Sequence, residues 1–240
     1  MFRGLIKYHV LSLVREPITM FLGIGLPFAV LMMSANQIAE ATSPYFIDGF
    51  LGVLIAMAIM VLCFNDSAYS HAYTRQIKFL RRLRMTPVKP WHYIVTGILS
   101  RIAILIGFTG VLVGVMHVVF DMSLTDRNWL LLLGITSLAF IMFYLIGMFI
   151  ANVSQNSKMS QGLAMAAYFL LLTVGGVLFP IANMPYALQT VASWLPSAFA
   201  ITSLQNAWMG MDILSGHYLV TMIATTVVFG LLSVKFFKYE

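Results

Sequence analysis

Charge is scarce in this chain. Asp, Glu, Lys and Arg make up 9% of its 240 residues, against about 25% in soluble globular domains. That scarcity excludes an ordinary soluble fold. Cysteine is almost absent too. Cys63 is the single one and lies in an apolar run, so neither an intrachain disulfide nor a cysteine-based metal site can form. Catalytic motifs are missing as well. The chain has no GxxxxGK[ST] phosphate loop, no HExxH, no GxSxG and no paired carboxylates inside an apolar stretch. The five histidines, His9, His71, His92, His117 and His217, are scattered over different segments, and each is expected as an interfacial or loop residue. No active site, bound cofactor or metal is expected of this chain.

What is abundant is apolar. Hydrophobic residues reach 60%, and the mean hydropathy is +0.91. This is the composition of an integral membrane protein whose mass goes into spans, an all-α fold in one membrane domain over 1–240. Six runs approach the ~20 residues a bilayer requires: 17–35, 49–70, 94–118, 129–151, 160–179 and 216–236. Gly110 and Gly114 form a GxxxG pair in the third run, where a neighbouring helix can approach closely. Two stretches do not fit as spans. In 1–16, Phe2, Leu5, Ile6, Val10 and Leu13 oppose Arg3, Lys7 and Arg15, so this segment is expected to lie flat on the membrane surface. The stretch 180–211 is broken by Pro180, Pro185 and Pro196 and contains no Lys or Arg. It is expected as one or two short helices dipping into the outer leaflet, with their backbone packed against protein.

The few charges are distributed unevenly. With both termini inside, twelve of the fourteen Lys and Arg residues fall on the inner side, Arg127 alone falls outside, and Arg101 lies within the third run. That asymmetry is the positive-inside pattern, and it argues against reading the net charge of +6 as a nucleic-acid footprint. Six spans with cytoplasmic N- and C-termini follow as the expected topology.

Half of the inner charge sits in one elbow between the second and third runs: Arg75, Lys78, Arg81, Arg82, Arg84 and Lys89. On a helical wheel Tyr73, Ile77, Leu80 and Leu83 share a face, with Arg75, Lys78 and Arg82 opposite. A surface helix over 72–85, stopped by Thr86-Pro87, is expected. Its role is either to fix orientation or to dock another protein. Arg101 is a charge within a span and needs a partner. Asp66 and Glu16 are the candidates, and a structural ion pair and a part in gating both stand open. Phe64, Asn65, Tyr168 and Phe169 suit an amphiphilic ligand in a substrate pathway, although aromatics at such spacing also serve as packing.

The stretch IKFLRRLRMTPVKPWHYIVTGIL, 77–99, resembles the signature loop of type-2 ATP-binding-cassette (ABC) transporter permeases of the export branch. It keeps the family's basic run, Thr86-Pro87 and the aromatic start of the next span. It has Thr74-Arg75 where arginine-glutamate is usual. The stretch 175–208 is similar to the family's segment after the fifth span, with its Phe179-Pro180, Met184-Pro185 and Leu195-Pro196 steps, and Arg15-Glu16-Pro17 resembles the family's N-terminal helix. The resemblance implies a permease homodimer seated on two separate ATPase subunits, which would hold ATP and Mg. It implies a coupling helix whose contacts are Tyr73, Arg75, Ile77, Lys78, Phe79, Leu80, Arg81 and Arg82, and an outer gate at Phe179, Pro180, Pro185 and Pro196. The setting it implies is a bacterial or archaeal plasma membrane. The aromatic and Met-rich spans, with seventeen Met in all, lean toward a hydrophobic or amphiphilic small molecule, drug, peptide or lipid-like compound as cargo. Polysaccharide or ion export, and ATP-independent secondary transport, are the alternatives.

Overall fold

A computed structural model of the chain describes residues 17–35, 44–79, 90–125, 127–177, 184–211 and 217–237; for 17–24, 44, 64–65 and 90 it describes the backbone alone. All regular structure among these residues is helical. The elements are α1 (Pro17–Met33), α2 (Pro44–Val61), a π-helical turn (Leu62–Ser67), α3 (Ala68–Gln76), α4 (Pro90–Phe120), α5 (Trp129–Val153), α6 (Ser157–Val174), α7 (Tyr186–Ala192), α8 (Pro196–Met209) and α9 (His217–Lys235). By length and composition, Trp91–Phe120, Trp129–Val153 and His217–Lys235 are able to cross a membrane, and Tyr45–Val61 is a shorter apolar helix. The surface segment expected over 1–16 lies outside the described residues.

Helix α2 is the axis of the bundle. Each residue from Leu54 through Cys63 is 7% exposed or less, so this helix is enclosed on all sides. Its closest neighbour is α8, and α9 packs along α5. The α2–α8 contact depends on Gly52. A Cβ built there would stand 2.9 Å from the backbone nitrogen of Gln205, so any side chain would push the two helices apart. The outward faces of α4 and α9 are apolar, with Val111, Val118, Val119, Val220 and Leu231 all exposed. Such faces in a helical bundle suit contact with lipid.

Local chemistry sets the helix ends. Asn128 caps α5 by accepting from the Leu131 amide at 3.2 Å, and Asn156 caps α6 by accepting from the Met159 amide at 2.8 Å. Gly210 closes α8 at φ 70°, where the Met211 amide returns to the Asn206 carbonyl at 2.9 Å. The two short helices α7 and α8 occupy the proline-broken stretch.

Three expectations need correction. The elbow is not a single helix over 72–85. Helix α3 ends at Gln76, and Lys78 adopts φ 57°, the left-handed conformation that ends helices. The Ile77 amide reaches the Tyr73 carbonyl at 3.0 Å and the Lys78 amide the Arg75 carbonyl at 2.9 Å, which closes the last turn. Thr86-Pro87 lies outside the described residues. Secondly, no neighbour approaches Gly110 or Gly114: a Cβ at either meets nothing within 4 Å among the described residues. A local motif says nothing about whether its partner helix belongs to the same chain. Thirdly, His71 is buried at 3% exposure, because α3 continues α2 into the bundle instead of leaving it.

Candidate functional site

Among the described residues, three polar clusters interrupt the apolar interior, each centred on an arginine. The middle one joins α4 to the π turn. Arg101 Nε donates to Asp66 Oδ2, and Nη1 donates to the Gly97 carbonyl at 3.2 Å. The guanidinium carbon also lies 5.4 Å from the centre of the Tyr144 ring. Both members of the pair are buried, so the structure brings Asp66 and Arg101 together in an environment where an unpaired charge is costly. Asp66 Oδ1 has no hydrogen-bond partner among the described residues. Beside it is a cavity of about 10 Å³ lined by Leu62, Asp66, Arg101, Ile104 and Phe140, room for about one water. A π turn is a frequent device for setting such a side chain off the regular helical phase.

The second cluster lies at the α3 end. Arg75 is 6% exposed. Its Nη1 donates to the Asn152 carbonyl at 3.4 Å, and its Nη2 donates to the Ser154 carbonyl. These carbonyls close α5, where the last helical carbonyls lack intrahelical partners and the helix dipole is negative. His71 Nε2 pairs with Asn152 Oδ1 at 2.9 Å, and Asn152 Nδ2 donates to the Ser233 carbonyl at 3.2 Å. The His71 ring packs on Phe237 and Tyr93, with centroids 5.1 and 5.6 Å away. Burial pushes the His71 imidazole down to about 4; the Asn152 hydrogen bond opposes this, while the Arg75 and Arg101 charges add to it. His71 is therefore neutral. Desolvation also lowers Arg75 from its usual value, but a guanidinium keeps its charge. Ser157 Oγ donates to Gln76 Oε1 at 2.7 Å and Ser160 Oγ to the Ala68 carbonyl at 2.9 Å, so α6 joins the same knot.

The third cluster sits at the opposite end. Arg127 Nη2 lies 2.7 Å from both oxygens of Asp48, and Nη1 donates to the Trp208 carbonyl. This ties the loop before α5 to the start of α2 and the end of α8. A cavity of about 330 Å³ lies between α4, α5 and α8, walled by Thr109, Gly110, Trp129, Leu133, Thr136 and Trp208 among others. Trp129 and Trp208 meet edge to face at 6.2 Å. The Trp208 indole N–H and the Thr109 hydroxyl are buried without partners among the described residues.

The expected coupling residues separate into two groups. Tyr73, Ile77 and Lys78 are exposed and Phe79 is half-buried, whereas Arg75 faces inward. Leu80, Arg81 and Arg82 lie outside the described residues. Of the expected pathway residues, Tyr168 is buried and Phe169 exposed, their rings 5.4 Å apart; the side chains of Phe64 and Asn65 are not among those described. Neither Tyr168 nor Phe169 lines the larger cavity. Pro185 precedes α7 and Pro196 opens α8, while Phe179 and Pro180 lie outside the described residues. Sequence reasoning misses Asn152, Ser154 and the Asp48–Arg127 pair. The available signal is the short polar break 152–158 between two apolar runs, the natural place to find acceptors for a buried guanidinium. No cluster of three or more His, Cys, Asp or Glu suited to a metal occurs among the described residues.

A family model described as ABC-2 family transporter protein matches residues 28–235. The comparison with curated proteins finds no match.

Proposed function

The chain belongs to the ABC-2 family of transporter proteins, as a membrane component and not the ATPase, and from that premise we propose that it is one half of an exporter pore driven by separate ATPase subunits. Two copies of this chain would form the pathway, and two ATPase subunits would grip them from the cytosol. The match across 28–235 carries this reading. The basic elbow supports it, because it follows α3 at the end of a helix that runs unbroken from α2, the axis of the bundle. The six spans, with both ends inside, rest on the charge asymmetry.

The proposed cargo is an apolar or amphiphilic small molecule, drug, peptide or lipid-like compound. The cavity between α4, α5 and α8 supports this class. Its volume, about 330 Å³, is at the small end of ligand pockets, and its walls are apolar with two buried polar groups. Seventeen methionines add adaptable apolar surface. The test is purification in mild detergent from a host expressing the chain with its ATPase. Co-elution of the ATPase, with hydrolysis stimulated by hydrophobic drugs, is the expected result. A lone, ATP-indifferent dimer contradicts the reading.

A further inference from the structure

Arg75 is the first cation of the elbow, and by sequence it belongs with the residues that would touch the ATPase. Its geometry points elsewhere. The side chain is 6% exposed and faces away from exposed Tyr73 and Ile77. No carboxylate pairs with it among the described residues. Its two donors instead span the end of α5, reaching the carbonyls of Asn152 and Ser154. A planar guanidinium is suited to bridge two separated acceptors; an ammonium offers one compact charge.

The Asn152 side chain extends the contact. It meets His71 of α3 on one side and the Ser233 carbonyl of α9 on the other. Ser233 Oγ in turn donates to the Leu145 carbonyl at 3.0 Å. So α3, the α5–α6 turn and α9 share one chain of polar contacts, and apolar packing surrounds it.

We propose that Arg75 is a positioning residue for energy coupling: it clamps α3 to the end of α5, so that displacement of the elbow moves the α5–α6 turn and, through Asn152, moves α9. This rests on the reading of the elbow as the ATPase's handle. Docking and transmission then fall to different residues. The exposed part of the elbow docks, and the buried arginine carries the movement inward.

The experiment uses the full complex with its ATPase in nanodiscs and a cysteine at Gln155, in the turn, or at Lys235, the exposed last residue of α9. Labelling by a water-soluble maleimide is followed with and without ATP and vanadate. In the parent complex, nucleotide changes the labelling rate at both positions. Arg75→Ala and Arg75→Lys are both expected to co-elute with the ATPase and to lose the nucleotide-dependent change at both positions. Asn152→Ala keeps the backbone carbonyls that Arg75 uses. It should therefore keep the change at 155 and lose it at 235. Full retention of the change in Arg75→Lys overturns the proposal, since charge alone would then suffice. Loss of the ATPase from Arg75→Ala also overturns it, by making Arg75 a docking cation. Should Arg75→Ala fail to fold, Arg75→Lys and Asn152→Ala decide. A parent chain that captures no ATPase removes the proposed function itself, an outcome distinct from either.

Discussion

Arg75 and Arg127 solve the same problem at opposite ends of the bundle in different ways. Each reaches across about eighty residues of sequence to donate to carbonyls at the end of a helix, α5 for Arg75 and α8 for Arg127. Arg127 also has a carboxylate, with Asp48 at 2.7 Å. Arg75 has none among the described residues and depends on peptide dipoles and the negative end of α5. A compensated pair fixes the relative positions of α2, α8 and the loop before α5. A guanidinium held only by carbonyls joins α3 to the end of α5 through two hydrogen bonds and no counter-charge. The end proposed to receive the ATPase's stroke is clamped by peptide dipoles, and the far end by a compensated ion pair. Arg101, buried and paired with buried Asp66, is the extreme of the compensated kind.

That contrast orders the expected effects of breaking each contact. Arg101→Ala strands Asp66 in the apolar interior and should destabilise by about 3–5 kcal/mol, seen as a lowered unfolding temperature in detergent or failure to accumulate. Acid is the next largest perturbation. His71 is held near 4 when folded, against 6.5 when free, so the unfolded chain binds the extra proton in between. Stability is complete above pH 6.5 and falls as pH drops toward 4, by at most about 3 kcal/mol. Unfolding temperatures at pH 7.5 and pH 5 should therefore differ, and His71→Gln should flatten the difference; an equal slope in that variant separates His71 from the effect. Arg127→Ala leaves Asp48 and the Trp208 carbonyl short of a donor, and should lower stability by about 1–3 kcal/mol. Arg75→Lys keeps one donor of two and should change stability by about 1 kcal/mol or less. A stability loss at Arg75→Lys as large as at Arg127→Ala would erase the distinction between the dipole-held and the ion-paired end.

The helical class and the three long apolar helices α4, α5 and α9 are legible in the sequence because apolar runs of bilayer length have few alternatives. The contact between Asp66 and Arg101 is within reach of the same reasoning. A charge in a span needs a counter-charge at its own depth, and the sequence offers few. Arg75 is not legible. A helical wheel assigns it to water because the wheel sees one segment, and the carbonyls that enclose it come from a turn 77 to 79 residues later. The same limit applies to Gly110 and Gly114, whose spacing suggests a neighbour that the described part of this chain does not supply, and to Gly52, whose lack of a side chain matters only once α8 is in place. Lys78 breaks the elbow helix at φ 57° without a glycine to announce it.

The most direct test is photo-crosslinking from position 78, exposed at the start of the elbow, in membranes that contain the ATPase. The account predicts a crosslinked product between this chain and the ATPase whose yield changes when ATP is added. A label at position 78 that captures no nucleotide-binding subunit, or that reacts with reagents confined to the external side, contradicts it.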